Sequence, residues 1–261
     1  MSKKLKDWKT AVTKVEPNNI MVHGYPINEL MGEISYADGL CLMLKGELPD
    51  RKLGKMMDTI LVSSMDHGVT PPSTLAALTC VSTGGNLNQA LACGILSINQ
   101  HHGGAIQNCQ KVLLSAVKLK EDNDLTIETA AEEVVKDAIA NKVRLPGFGH
   151  RIHTNDPRAV KLYEAAKNLG FYGDYPKMMK AMESAFEKIK GKKLPINVDG
   201  AIASLLCEMG FDPELGNAFF MIARMPGLLT HIVEERDRQK PMRRINPLDY
   251  EYDGPGQRKL G

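Results

Sequence analysis

A chain of 261 residues, 43% hydrophobic and 25% charged, has ordinary globular composition and enough length for a substantial core, as one large domain or a domain with a smaller lobe. A net charge of +2 makes no case for nucleic acid or an acidic membrane surface, no apolar run is long enough to span a bilayer, and no signal-peptide core follows the early lysines. The five cysteines (Cys41, Cys80, Cys93, Cys109, Cys207) lack C-x-x-C spacing and sit mostly in apolar stretches, which reads as reduced core thiols in a cytoplasmic protein with neither disulfides nor a zinc site.

In chain order the pattern is helix after helix, with little β alternation. Asn28 is a candidate N-cap for a helix through Leu44, ended by Gly46 and Pro49. From Asp50 to Met65 the apolar residues Leu53, Met56, Met57, Ile60 and Leu61 follow the spacing of one helix face. Thr70-Pro71-Pro72-Ser73 interrupts, Ser73 or Thr74 opens the next helix through Val81, and Gly84-Gly85 breaks again before a helix from Leu87 to Ile98. Further helices are expected over Ala105–Lys120, Ile127–Asn141, Pro157–Leu169, Tyr175–Lys190, Asp199–Met209 and Pro213–Arg236. The tail after Pro241 has too few apolar residues to pack as a helix and reads as a strap needing a partner surface.

The residues able to carry chemistry gather in the glycine- and proline-marked loops between these helices. They are Asp66-His67-Gly68, His101-His102-Gly103-Gly104, Gly147-Phe148-Gly149-His150-Arg151, Asp156-Pro157-Arg158 and Asn197-Val198-Asp199. Taken alone, Asp199 reads as an N-cap, His67 as a cation at a helix C-terminus, and each arginine as a surface residue. The glycines around Phe148 let backbone approach a ligand and free N–H groups for it, but no Gly-Lys-Ser/Thr follows, so this is no nucleotide P-loop. His101 and His102 are neighbours that do not share a face, so they are unsuited to holding one metal. Three glycine-flanked histidines, one aspartate and several arginines suit enolate carbon–carbon chemistry on a carboxylate substrate, because guanidinium groups pair bidentately with carboxylates.

In this order the motifs resemble the citrate synthase family. Within it, the stretch from Gly39 through Leu48-Pro49-Asp50-Arg51 to Asp66-His67-Gly68 is similar to the citryl-CoA-cleaving module of ATP-citrate lyase and to free-standing bacterial citryl-CoA lyases. The resemblance runs from about Tyr36 to Tyr252. His102 matches the His-Gly-Gly-Ala motif of the synthases and departs from the ATP-citrate lyase module. The resemblance implies an all-α, citrate synthase-like fold. A large helical domain (1–141 and 200–261, with the C-terminal strap) is expected to carry a small mobile helical lobe (142–199) holding the CoA and catalytic loops.

It also implies roles. His102, His150 and Asp199 are catalytic: His150 handles the tertiary hydroxyl proton, His102 the thioester oxygen, and Asp199 the methyl carbon. His67, Arg151, Arg158 and Arg224 bind substrate. One more arginine, Arg243 or Arg244, with Arg244 the choice, comes from the neighbouring subunit's tail. Leu145, Pro146, Gly147, Phe148, Gly149 and Asn197 hold CoA. No metal and no cofactor beyond the substrate's own coenzyme A is implied. The partners are citryl-CoA, acetyl-CoA and oxaloacetate, a homodimer or dimer of dimers, and a separate citryl-CoA synthetase, since the chain carries no segment to activate citrate. The implied activity is cleavage of citryl-CoA to acetyl-CoA and oxaloacetate. The alternatives are citrate or 2-methylcitrate synthesis and a non-catalytic CoA-ester-binding paralogue.

Overall fold

The computed structural model describes residues 9–149 and 154–243, together with residues 251, 253, 254, 256, 257 and 259 of the tail. His150, Arg151 and Arg244 lie outside the described residues. Among those described are eleven α-helices and one small antiparallel sheet, the helical architecture the sequence implies. No helix among them is long and apolar enough to cross a membrane.

The sheet was not foreseen from the sequence. Strands β1 (Thr13–Glu16), β2 (Asn19–Val22) and β3 (Tyr25–Pro26) pair in the order β1-β2-β3. Each strand is too short to show alternation, and the turns carry the signal instead. Asn18 (φ 61°) follows Pro17, and His23 and Gly24 (φ 46° and 88°) form a two-residue hairpin turn with both residues left-handed. The expected long helix from Asn28 is also divided. Helix α1 (Ile27–Leu30) is a single turn, and α2 (Tyr36–Lys45) starts afresh. The competing signal is a capping box: Ser35 Oγ accepts from the Asp38 N–H at 3.1 Å, and Asp38 Oδ2 accepts from the Ser35 N–H at 3.0 Å.

The remaining helices fall close to expectation: α3 (Arg51–Ser63), α4 (Pro72–Ser82), α5 (Leu87–Leu96), α6 (Ala105–Asp122), α7 (Ile127–Ala140), α8 (Pro157–Leu169), α9 (Asp174–Lys190), α10 (Val198–Glu208) and α11 (Gly216–Arg238). Pro72 stands at the first position of α4, where its missing N–H costs nothing. A 3-10 turn, Pro213–Leu215, precedes α11, which runs on through Pro226.

By their contacts the residues group into two compact units. One comprises Met1–Asp66 with Asn99–Arg224, the other His67–Ile98 with Met225–Gly261. Within the larger unit α10 is the central element. Its segment Ala201-Ile202-Ala203-Ser204-Leu205-Leu206-Cys207 has no polar stripe, and every one of these residues is buried, as a helix apolar all round requires. Helices α6, α8 and α9 pack around α10, and α9 packs on α7. The stretch 142–199 therefore shares its contacts with the larger unit; a lobe defined by motion is a different thing from a unit defined by contacts. In the smaller unit α4 and α5 pack together over Ala77, Ala90, Leu228 and Ile232. There the chain after α11 returns to α4, with the Met242 N–H donating to the Ser82 carbonyl at 2.7 Å.

Candidate active site

Two loops converge on the N-terminus of α10. Gly149 N–H donates to the Pro195 carbonyl at 2.7 Å, and Asn197 N–H to the Gly147 carbonyl at 3.1 Å, flanking a bridge between Phe148 and Ile196. Asn197 is the N-cap of α10: its Oδ1 accepts from Gly200 N–H at 3.1 Å, while its Nδ2 donates to the Gly149 carbonyl at 2.8 Å. Both ends of one amide are thus engaged, and the cap expected at Asp199 belongs to Asn197. Gly147 (φ 83°) has a second reason to be glycine, since a Cβ there would stand 2.7 Å from both Gly200 Cα and Cys109 Sγ. Glu183 Oε1 accepts from Ile196 N–H at 2.8 Å and ties the second loop to α9. Leu145 and Phe148 are buried anchors of the first loop, which leads directly into His150.

Asp156 binds the next piece in place. This buried carboxylate caps α8 through Arg158 N–H (3.0 Å). It pairs bidentately with the Arg158 guanidinium (Nε to Oδ1 3.0 Å, Nη2 to Oδ2 2.9 Å) and accepts from Val198 N–H at 3.0 Å. Burial opposes its ionisation, but the hydrogen bonds and charge of Arg158 and the two amides outweigh it and hold the carboxyl below its ordinary range. Sequence reading treated Asp156 only as the first letter of a motif. Its place before a proline that opens a helix is the signal of a capping carboxylate.

Asp199 occupies the second position of α10. No hydrogen-bond donor to its carboxylate is found among the described residues. Desolvation pushes its pKa above the usual carboxylate range; the charges of Arg158 and Arg224 pull it down and Asp156 pushes it up, and burial prevails. A carboxyl held this way can carry a proton at pH values where a free one would not.

The third group is built around Phe220. His102 meets its ring edge-on (centroids 5.6 Å apart, 84° between planes), and Arg224 lies over the same ring, Cζ 4.8 Å from the centroid. Phe220 and Arg224 are one turn apart on α11, an i,i+4 pair that sequence reading passed over. His102 sits in a turn closed by hydrogen bonds from His102 N–H and Gly104 N–H to the Asn99 carbonyl. Desolvation, then the Arg224 charge, lowers its pKa, so the imidazole is neutral near pH 7. Arg224 is 2% exposed; its Nε donates to the Ser64 carbonyl at 2.9 Å, and its Nη1 has no hydrogen-bond partner. Burial lowers its pKa, with Asp66 and Asp199 opposing that and Arg158 adding to it. The mutual influence of Asp199, Arg158, Arg224, Asp156 and His102 marks one electrostatic site.

His67 opens the smaller unit, exposed, with Gly68 (φ 74°) after it. Arg243 is engaged within its own chain: Nε and Nη2 pair with the buried carboxylate of Glu235 at 2.8 and 2.5 Å.

The family model described as citrate synthase, C-terminal domain, matches residues 33–245. The chain is 39% identical to citryl-CoA lyase from Hydrogenobacter thermophilus, whose structure superposes with a TM-score of 0.89 and covers 98% of each chain. It is 33% identical over 215 residues to the citrate synthase of Haloferax volcanii, covering 80% of this chain and 54% of that protein. The citrate synthase of Thermoplasma acidophilum, solved in a ternary complex with carboxymethyl coenzyme A and oxaloacetate, is 26% identical with a TM-score of 0.69, covering 87% of this chain and 58% of that one. The chain spans about half the length of the curated citrate synthases it matches.

Proposed function

The chain belongs to the citrate synthase family, and from that premise we propose that it is a citryl-CoA lyase, cleaving citryl-CoA to acetyl-CoA and oxaloacetate. The observation that supports the choice of lyase is the 39% identity and TM-score of 0.89 to a citryl-CoA lyase, against 33% identity to the Haloferax volcanii citrate synthase and a TM-score of 0.69 to that of Thermoplasma acidophilum.

In this reading His150 takes the proton of the tertiary hydroxyl. The carbon–carbon bond breaks, the hydroxyl carbon becomes the ketone of oxaloacetate, and the bonding pair passes to the acetyl-CoA enolate. The neutral His102 imidazole donates a hydrogen bond to the enolate oxygen. The Asp199 carboxyl, whose raised pKa suits it to hold a proton, delivers it to the terminal carbon to make the methyl group. Each catalytic proton transfer of this kind contributes about 10² to 10⁴-fold.

Arg158 and Arg224, with Arg151 and His67, bind the carboxylates and carbonyl of the oxaloacetate portion. The pairing of Arg243 with Glu235 favours Arg244 as the arginine given to a neighbouring subunit. The 145–149 loop and Asn197 hold CoA chiefly through backbone groups, since Leu145 and Phe148 are buried anchors and the Asn197 amide is engaged at both ends. A homodimer or dimer of dimers in the cytoplasm, closure of the 142–199 lobe over the ligand, and supply of citryl-CoA by a separate synthetase belong to the same proposal.

The reverse condensation, citrate or 2-methylcitrate synthesis, is the second reading, favoured by the names of the curated relatives. Incubation of the purified protein with citryl-CoA separates the two. Oxaloacetate and acetyl-CoA with little free CoA are expected. Citrate with free CoA establishes the synthase reading, and an unchanged thioester defeats both.

A further inference from the structure

Ser64 follows α3 and is 1% exposed. Three other buried or half-buried serines at helix C-terminal ends turn their hydroxyls back onto the preceding turn. Ser63 Oγ donates to the Ile60 carbonyl at 2.7 Å, Ser82 Oγ to that of Thr79 at 2.9 Å, and Ser97 Oγ to that of Cys93 at 2.8 Å. Ser64 does not: its Oγ is buried without a hydrogen-bond partner. Nor is it an isolated defect. The carbonyl of this same residue receives Arg224 Nε at 2.9 Å, and Arg224 Nη1 is likewise buried without a partner. Two polar groups left unsatisfied on two residues in direct contact lower the stability of the ligand-free protein. Arg224 in turn lies over the Phe220 ring that also receives His102.

We infer that Ser64 is a further substrate-binding residue, its hydroxyl donating a hydrogen bond to the substrate carboxylate that Arg224 takes. An anion is the ligand class that satisfies both groups at once, since a guanidinium N–H and a hydroxyl are both donors. The Ser64 carbonyl fixes Nε, and Nη1 is the guanidinium nitrogen left for the ligand, with the Asp66 charge acting on the same group. The side chain at position 64 would thereby act on affinity for the dicarboxylate portion of the substrate and leave the thioester portion alone. This rests on the proposed chemistry, in which Arg224 binds an oxaloacetate carboxylate.

The test is binding of oxaloacetate and, separately, of acetyl-CoA to the full chain and its Ser64→Ala and Ser64→Cys variants, by thermal shift and titration. Ligand-free Ser64→Ala should melt at or above the wild-type temperature, because an unpaired buried hydroxyl has been removed. Its oxaloacetate affinity should fall about 10- to 100-fold, the range for a hydrogen bond to a charged group. Acetyl-CoA affinity should be unchanged, and Ser64→Cys, with a weaker donor, should fall between. Equal oxaloacetate affinity in all three proteins overturns the inference alone. A parallel loss of acetyl-CoA affinity, or a lower melting temperature of ligand-free Ser64→Ala, also overturns it, since Ser64 would then be a structural residue. If wild type binds no oxaloacetate, the functional reading fails and the inference with it.

Discussion

Two regions of the larger unit handle their polar groups in opposite ways. Where the 145–149 loop meets the start of α10, nearly every polar group has a partner: Asn197 serves both loops, Asp156 accepts four hydrogen bonds, and Glu183 closes the chain at Ile196. Around Phe220, a buried guanidinium and a buried hydroxyl have donors to spare. The first region is a scaffold already complete within the protein. The second holds the groups proposed to meet the substrate. Asp199 stands on the scaffold but shares the second region's character, a desolvated carboxylate with no donor among the described residues. A carboxyl held in place by satisfied neighbours and raised in pKa by its own desolvation is what preorganised chemistry requires.

That contrast is most sharply tested at Asp199. Replacement by Asn should lower kcat by about 10² to 10⁴-fold, the range for a lost proton-transfer group. Stability should move the other way. Because the folded-state pKa is raised, wild-type stability falls as pH rises from the unfolded value near 4 through the folded value, and the full cost is present above it. The Asn variant lacks that cost, so it should melt at or above the wild-type temperature at pH 7. The difference should shrink as pH is lowered towards about 4, which calorimetry across pH will check. At Asp156 the sign reverses. Asp156→Ala removes a buried carboxylate from Arg158, from Val198 and from the cap of α8 together. A loss of about 3–5 kcal/mol in chemical denaturation is expected, as for a broken buried ion pair. A loss below about 1 kcal/mol would show that this region is not the scaffold it resembles.

These two aspartates also show what was legible in the sequence. The helices were, because their apolar spacing and glycine or proline ends are local. Helix α8 begins at Pro157 and ends at Leu169 as expected, and α10 starts within a residue of its expected start. The capping box at Ser35 and the turns at Asn18 and His23-Gly24 were local too, but short, and longer-range periodicity outweighed them in the reading. The motifs and the family resemblance they carry pointed to His102, Arg158, Arg224 and Asp199, and the structure couples these four electrostatically. Asp156, Phe220 and Ser64 were not singled out, because their importance lies in contacts with residues distant in sequence. Ser64 and Arg224, 160 positions apart, have no common signature along the chain.

Two smaller effects set the scale of each region. On the scaffold side, Gly147→Ala forces a left-handed backbone on a residue with a Cβ and drives that Cβ towards Gly200 Cα, so about 2–3 kcal/mol of stability should be lost. On the open side, Phe220→Leu keeps an apolar side chain but removes the ring edge from His102 and the ring face from Arg224. Aromatic and cation–π contacts of this kind are each worth about 0.5–1.5 kcal/mol, and leucine recovers part of the packing, so a stability loss of about 1 kcal/mol is expected. Activity should suffer more than stability, because the two side chains freed are the proposed donor imidazole and the proposed substrate arginine. A fall in kcat/KM of about tenfold or more, with the melting temperature only a few degrees lower, would place Phe220 among the groups that orient the site. If kcat/KM is unchanged while stability falls, the ring is core packing and the organised region reduces to Ser64, Arg224 and Asp199.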